Sequence, residues 1–172
     1  LTDTSLTASV LNTLDGRTSG TINANTVNAL TGSAADLNTT YASAGISNLG
    51  NEAVTLTDTS LSASVLNTLD GNTSGAIDAD NITTLTSDDY DSLNTAYTSA
   101  NSGAITGLGD EAISVSDRIR VSEANTLNSH TTGVISATVT NSDGTGNLNI
   151  SSALNLNGTG NAYSIRIREK TV

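Results

Sequence analysis

The chain has 172 residues and contains no Phe, Trp, Met, Pro or Cys, so it can form neither a disulfide nor a thiolate site. Its only aromatics are Tyr41, Tyr90, Tyr97 and Tyr163, too few for a thick globular core, and any core must be thin and built of Leu, Ile, Val and Ala. Against 17 acidic side chains stand 6 basic ones, a formal charge of -11, which argues against nucleic acid as a partner because phosphate binding needs a basic stripe.

Thr, Ser and Asn dominate the rest of the composition, which would suit disorder if the aliphatics did not recur at regular intervals. No apolar run approaches the roughly 18 residues that cross a bilayer. Without an initiator Met or a signal peptide, the chain reads as a mature product or an excised fragment.

One stretch is written twice: Leu1 to Arg17 and Leu56 to Asn72 differ only at Thr7 against Ser62 and at Arg17 against Asn72. This defines long repeats at 1–55, 56–114 and, more divergently, 115–140. Each also divides in two, because Leu-Asn-Thr recurs at Leu11, Leu37, Leu66 and Leu93, with Ala124-Asn-Thr as a fifth instance. Recurrence at intervals of roughly 30 residues belongs to stacked supersecondary units.

In chain order, Ile22 to Val27 reads as a strand that alternates and then slips phase. A helix begins near Ser33, with Asp36 favourable at its positive end and Leu37 and Tyr41 at i and i+4. Val54 to Thr57 alternates cleanly as a strand. Leu61, Val65, Leu66 and Leu69 line one face of the next helix, which Asp58, Thr59 or Ser60 can cap and Gly71 or Gly75 can stop. Ile77 to Ile82, a helix near Ser87 carrying Leu93 and Tyr97, and the strand Ile113 to Ser116 repeat the series.

Parallel strands joined by helical crossovers follow, with the right-handed sense that such connections take. The expected fold is therefore α/β: a right-handed solenoid of about five strand-helix repeats over 1–140, with an architecture like that of leucine-rich repeats. After Thr140 the repeat pattern stops. Short strands at Leu148 to Ile150, Ala153 to Leu156 and Tyr163 to Arg168 make 141–172 a C-terminal β cap or the start of a further domain.

Candidate chemistry is sparse. Asp78, Asp80, Asp88, Asp89 and Asp91 could gather oxygen ligands, and calcium is the ion such a set would hold. Counted from Asp78 as an EF-hand loop, however, the required glycine is Thr83, and the first copy has Asn23 and Asn25 in place of Asp78 and Asp80. His130 is the only histidine, so a His-based zinc cluster is excluded and a plain polar role in a turn is expected. Lys170 could form an isopeptide cross-link with an Asn, though a single late lysine argues against it. No phosphate-binding, dinucleotide or nucleophile-elbow motif occurs, so no catalytic or cofactor-binding residue is assigned. The rows of Thr and Ser on the strands form a hydroxyl-rich face: Thr suits solvent-facing strand positions in any case, and the functional alternative is a flat surface for glycan or ordered water.

The segments Leu66 to Gly75, Ile105 to Ala112 and Val54 to Thr59 resemble repeats of very large cell-surface and secreted proteins of marine bacteria, cyanobacteria especially. The resemblance covers about residues 1–140. It implies a surface-layer, adhesin or motility-associated coat, extracellular or on the bacterial surface, and it brings no catalytic residues. The expected function is a non-enzymatic structural or adhesive module whose partners are copies of itself or neighbouring repeats. The alternative is a carbohydrate-binding module, calcium-assisted, with glycans as partners.

Overall fold

The computed structural model describes residues 1–140, 153 and 155–165. It is an α/β fold in which every strand pairing among the described residues is parallel. The first copy contains β1 (Ser5–Thr7), α1 (Ala8–Asp15), β2 (Ile22–Asn23), β3 (Ala29–Gly32), α2 (Ala34–Ala42), β4 (Ile46–Ser47) and β5 (Ala53–Leu56). The second contains β6 (Ser60–Ser62), α3 (Ala63–Asp70), β7 (Ile77–Asp78), β8 (Thr84–Ser87), α4 (Tyr90–Ser102) and β9 (Ile105–Thr106). The third contains β10 (Ala112–Arg120), α5 (Val121–His130) and β11 (Ile135–Thr140), and β12 (Ala162–Ile165) follows.

Register shows how these strands stack. Ser5 lies beside Ala29 and Ala29 beside Ala53, two equal steps along the sequence. Ile22 beside Ile46 and Ser60 beside Thr84 take the same step. In the second copy the step lengthens, with Ile77 beside Ile105 and Thr84 beside Ala112. The four extra residues of that copy are thus absorbed within one turn of chain, and the pairing is kept.

Two of the shorter steps do not span one long repeat. The difference lies in the segment β4, β5 and β6. Its β4 and β5 pair with β2 and β3 below, whereas above it β5 and β6 pair with β7 and β8. The sheet therefore shifts sideways by one strand position at this level. The long strand β10 repeats the manoeuvre: Ala112–Val115 pairs with β8 on one side, while on the other Ile113 and Ser114 and then, across a register shift, Arg118–Arg120 pair with β11.

The helices stay in one row through these shifts, α1 against α2, then α3, α4 and α5. Each position of Leu-Asn-Thr has a separate task in that row. Leu11, Leu37, Leu66, Leu93 and the degenerate Ala124 are all 0% exposed and form the core stripe. The following Asn reaches the next coil: Asn12 Nδ2 donates to the Asp36 carbonyl at 3.0 Å, Asn38 to Val65 at 3.3 Å, Asn67 to Ser92 at 2.9 Å and Asn125 to Asn155 at 2.8 Å. Thr13, Thr39, Thr68, Thr95 and Thr126 donate their hydroxyls to the carbonyl four residues earlier in their own helix, at 2.8–3.0 Å.

Several local details differ from the sequence reading. The N-caps of α1 and α3 are Thr7 and Ser62, so Leu61 lies in β6 and the helix starts beyond it. Asp58 does not cap its own helix: its Oδ2 accepts from the backbone N–H of Ala34, the first residue of α2, at 2.7 Å. Ile22 to Val27 and Ile77 to Ile82 form two-residue strands followed by turns, closed by Val27 N to Ala24 O and Ile82 N to Ala79 O at 2.9 Å. The turn is where the alternation slips phase. Beyond Thr140 the parallel ladder continues, because Ser136 lies beside Ala162. The expected strand at Leu148 to Ile150 lies outside the described residues, and in place of the one expected at Ala153 to Leu156 there is a turn, closed by Leu156 N to Ala153 O at 3.2 Å.

One mismatch between the copies is testable. Thr40, 1% exposed, donates to Asn12 Oδ1 at 2.7 Å. The equivalent of Thr40 in the second copy is Ala96, and the buried Oδ1 of Asn67 is left without a partner. Ala96→Thr should restore the bond and raise stability by about 1 kcal/mol, while Thr40→Ala should lower it by about 1–3 kcal/mol. Urea denaturation of the two variants measures both.

Candidate functional site

Polar groups converge most tightly where a Gly-x-Glu-Ala loop meets a Thr-x-Gly turn from the next coil. Glu52 is 0% exposed and Glu111 1% exposed. Glu52 Oε2 accepts from the Tyr41 hydroxyl at 3.1 Å and from the backbone of Gly50 and Asn51 at 2.8 and 3.2 Å. Glu111 accepts from the Tyr97 hydroxyl and, through Oε2, from Gly109 N at 2.7 Å. Each buried carboxylate is thus held by its own loop and by the tyrosine of the preceding helix, which offsets part of the cost of burial, since Glu52 Oε1 has no hydrogen-bond partner among the described residues.

The turn from the next coil closes over the backbone of the same loop. Thr73 Oγ1 donates to the Glu52 carbonyl at 2.8 Å and Ser74 N to that of Gly50 at 2.8 Å. Thr131 and Thr132 do the same to Glu111 and Gly109, at 2.7 and 2.8 Å. Glycine is required at the end of each turn, because a Cβ on Gly75 or Gly133 would lie 2.1 or 2.2 Å from the glutamate carbonyl oxygen.

Burial raises the phenol of Tyr41 above its ordinary value, and the Glu52 charge and hydrogen bond add to the effect while Thr73 opposes it. Burial likewise raises Tyr97, reinforced by Glu111. His130 is more than a polar turn residue: it ends α5 and stacks on Tyr97, with ring centroids 4.8 Å apart and 3° between planes.

The aspartates proposed for calcium are divided among three tasks. Asp78 Oδ1 accepts from Asp80 N at 3.1 Å, and Asn23 makes the same bond to Asn25 N at 3.1 Å in the first copy. Here Asp and Asn serve alike as turn formers. Asp89 caps α4, accepting from Ser92 N at 2.7 Å and Ser92 Oγ at 3.1 Å. In α2 the cap pair is reversed in type, with Ser33 as cap and Asp36 three residues on. Asp91 sits exposed in the first turn of α4. Among the described residues, no group of three or more His, Cys, Asp or Glu is placed to hold a metal ion. Lys170 lies outside the described residues.

Asp88 has a different setting. With Ser62, Ser64, Thr86, Ser87, Ser114 and Ser116 it lines a groove of about 250 Å³. The lining comes from the start of α3, from β8 and from β10, three successive levels of the stack. At the corresponding level of the first copy, the carboxylate of Asp58 reaches in to bond Ala34 N. The extra residue near Ser87 to Asp91 separates the second copy from that arrangement. The strand hydroxyls seen in the sequence are partly engaged: Thr86 donates to the Leu61 carbonyl at 3.4 Å and Ser47 to that of Ile22 at 3.2 Å.

Compared with protein-family models, with curated proteins and with solved structures, the chain has no match in any of the three.

Gly75→Ala should destabilise the chain by about 1–3 kcal/mol through overpacking. Gly71→Ala, whose Cβ meets nothing closer than 3.5 Å, should stay within about 0.5 kcal/mol in the same denaturation measurement. The tyrosines also set a pH response. The folded chain keeps the Tyr41 and Tyr97 protons at pH values above 10.0, the ordinary tyrosine value, where the unfolded chain loses them. The unfolded state then binds fewer protons, so this contribution is intact below pH 10.0 and is lost as pH rises further. Denaturation between neutral and strongly alkaline pH should show a decline that is shallower in Tyr97→Phe.

Proposed function

We propose that the chain is a non-enzymatic structural or adhesive repeat module of an extracellular or cell-surface assembly. Its finer architecture is a right-handed solenoid of about five strand-helix units, comparable to leucine-rich repeats, with 141–172 closing one end or leading into a further domain. One observation carries the proposal: the most strongly repeated polar residues are used for contacts between coils. Asn12, Asn38, Asn67 and Asn125 and the Thr-x-Gly turns all join neighbouring levels. Asp15 and Asp70 do the same, accepting from Ser43 and Ser99 at 2.6 and 2.7 Å. A chain organised in this way favours extension and association with like units.

Exposed apolar side chains support the same reading. Leu1, Val10 and Leu14 are exposed at one end, and Ile165 lies on β12, the outermost strand of its sheet among the described residues. The charge of -11 opposes association at low salt, and screening relieves it. Light scattering and electron microscopy should show particles that grow as salt is raised from about 0.01 M to about 0.5 M, where the Debye length falls from about 30 Å to below about 8 Å. A strictly monomeric particle at every protein and salt concentration would remove the basis for assembly.

The groove around Asp88 favours a second reading, a glycan-binding module. Its lining hydroxyls and one carboxylate match the hydrogen-bonding needs of a sugar ring, and calcium would act there as an aid to binding. A glycan array probed with and without chelator tests it. Silence in both conditions would end this reading, and binding lost only with chelator would bring calcium into the site.

A further inference from the structure

We infer that the end of the stack formed by α1 and the turn at Thr18 to Gly20 is a docking face for one further coil of the 29–55 kind, bearing a tyrosine on its helix and a Leu-Gly-Asn-Glu-Ala loop. The inference rests on reading the chain as a repeat module and specifies the partner of its exposed end. Three copies of one turn sit at equivalent positions: Thr18-Ser19-Gly20, Thr73-Ser74-Gly75 and Thr131-Thr132-Gly133. All three are formed alike, with the glycine N–H donating to the threonine Oγ1 at 3.1, 3.0 and 2.9 Å.

The second and third turns are occupied by the loops of Glu52 and Glu111. Nothing among the described residues fills the first. Among the described residues, Thr18 Oγ1 has no acceptor and Ser19 N has no partner, whereas Thr73 and Ser74 bond the carbonyls of Glu52 and Gly50. Gly20 is free of the constraint that makes glycine necessary elsewhere. A Cβ there would meet only Thr18 Oγ1, at 3.6 Å, against 2.1 Å from Glu52 O at Gly75.

The apolar residues beside the turn show the same vacancy. Leu14 is 39% exposed, while its counterpart Leu69 is 0% exposed. Val10 is 55% exposed, and its counterpart Val65 is packed against the core. The unit that covers α3 is the coil of 29–55: α2 lies against α3, Asn38 donates to the Val65 carbonyl at 3.3 Å, and the Glu52 loop fills the turn at Thr73 to Gly75. The chemistry of the occupant is therefore specified by an interface already present within the chain.

The test compares the full chain with an extended chain in which residues 29–55 are repeated ahead of Leu1, so that Thr55 joins Leu1 as Thr55 joins Leu56. Amide hydrogen exchange of Ser19, followed by NMR, should slow by roughly tenfold or more in the extended chain, toward the rate of Ser74. Gly20→Ala should return Ser19 to fast exchange there, yet leave the melting temperature of the unextended chain unchanged. Ser19 exchanging equally fast in both chains would overturn the inference. Protection of Ser19 in concentrated unextended chain alone would also overturn it, by making a second copy the occupant. Neither result depends on whether large assemblies form, so failure of the docking face and failure of the assembly reading are separately visible.

Discussion

Each coil is only one layer of aliphatic side chains thick, and it buries that layer against the coils beside it. With no Phe, Trp or Met to fill a wider interior, Leu11, Leu37, Leu66 and Leu93 reach 0% exposure by lying over one another in a row of helices faced by parallel strands. Among the described residues these leucines belong to one buried cluster that also takes in Leu30, Val54, Leu85 and Ile113 of the parallel strands. Polar contacts follow the same direction. Asn12, Asn38 and Asn67, the aspartate at the end of α1 and α3, and the glutamate before β5 and β10 all hold groups on an adjoining level.

The helices were readable because Val65, Leu66 and Leu69 carry a helical period, though Leu61, which continues that spacing in the sequence, belongs to β6, and because Ser33 and Gly71 are residues suited to caps. The spacing of strands was less accessible. Helix recurrence mixes two quantities, a stacking step that is the same from β1 to β3 to β5 and a sideways shift that occurs once in each long repeat. Only pairing separates them: β5 has one strand partner below and a different type of strand above. The task of Asp58 was hidden for a related reason, since its partner Ala34 belongs to the previous coil.

At the candidate site, the acidic run near Asp88 stood out by charge, and the glutamates at 52 and 111 did not. Yet the latter are the buried pair, each met by the tyrosine of the helix before it, Tyr41 or Tyr97. The signal that could have found them was present: Gly-x-Glu-Ala recurs at equivalent positions, as do the two tyrosines. Charge marks groups that water can satisfy. Recurrence of an isolated acid within an apolar frame marks one that the fold must satisfy itself. The exchange of Asn23 for Asp78, and of Ser33 with Asp36 for Asp89 with Ser92, shows that several conspicuous aspartates act as turn and cap formers.

The sideways shift carries the ladder from β5 to β7, and proton-proton contacts measured by NMR test it most directly. The strand containing Val54 should show contacts to Leu30 on one side and to Ile77 on the other. Contacts placing Ile77 beside Ile46, with Val54 beside Leu85, would mean an unshifted ladder and would contradict this arrangement.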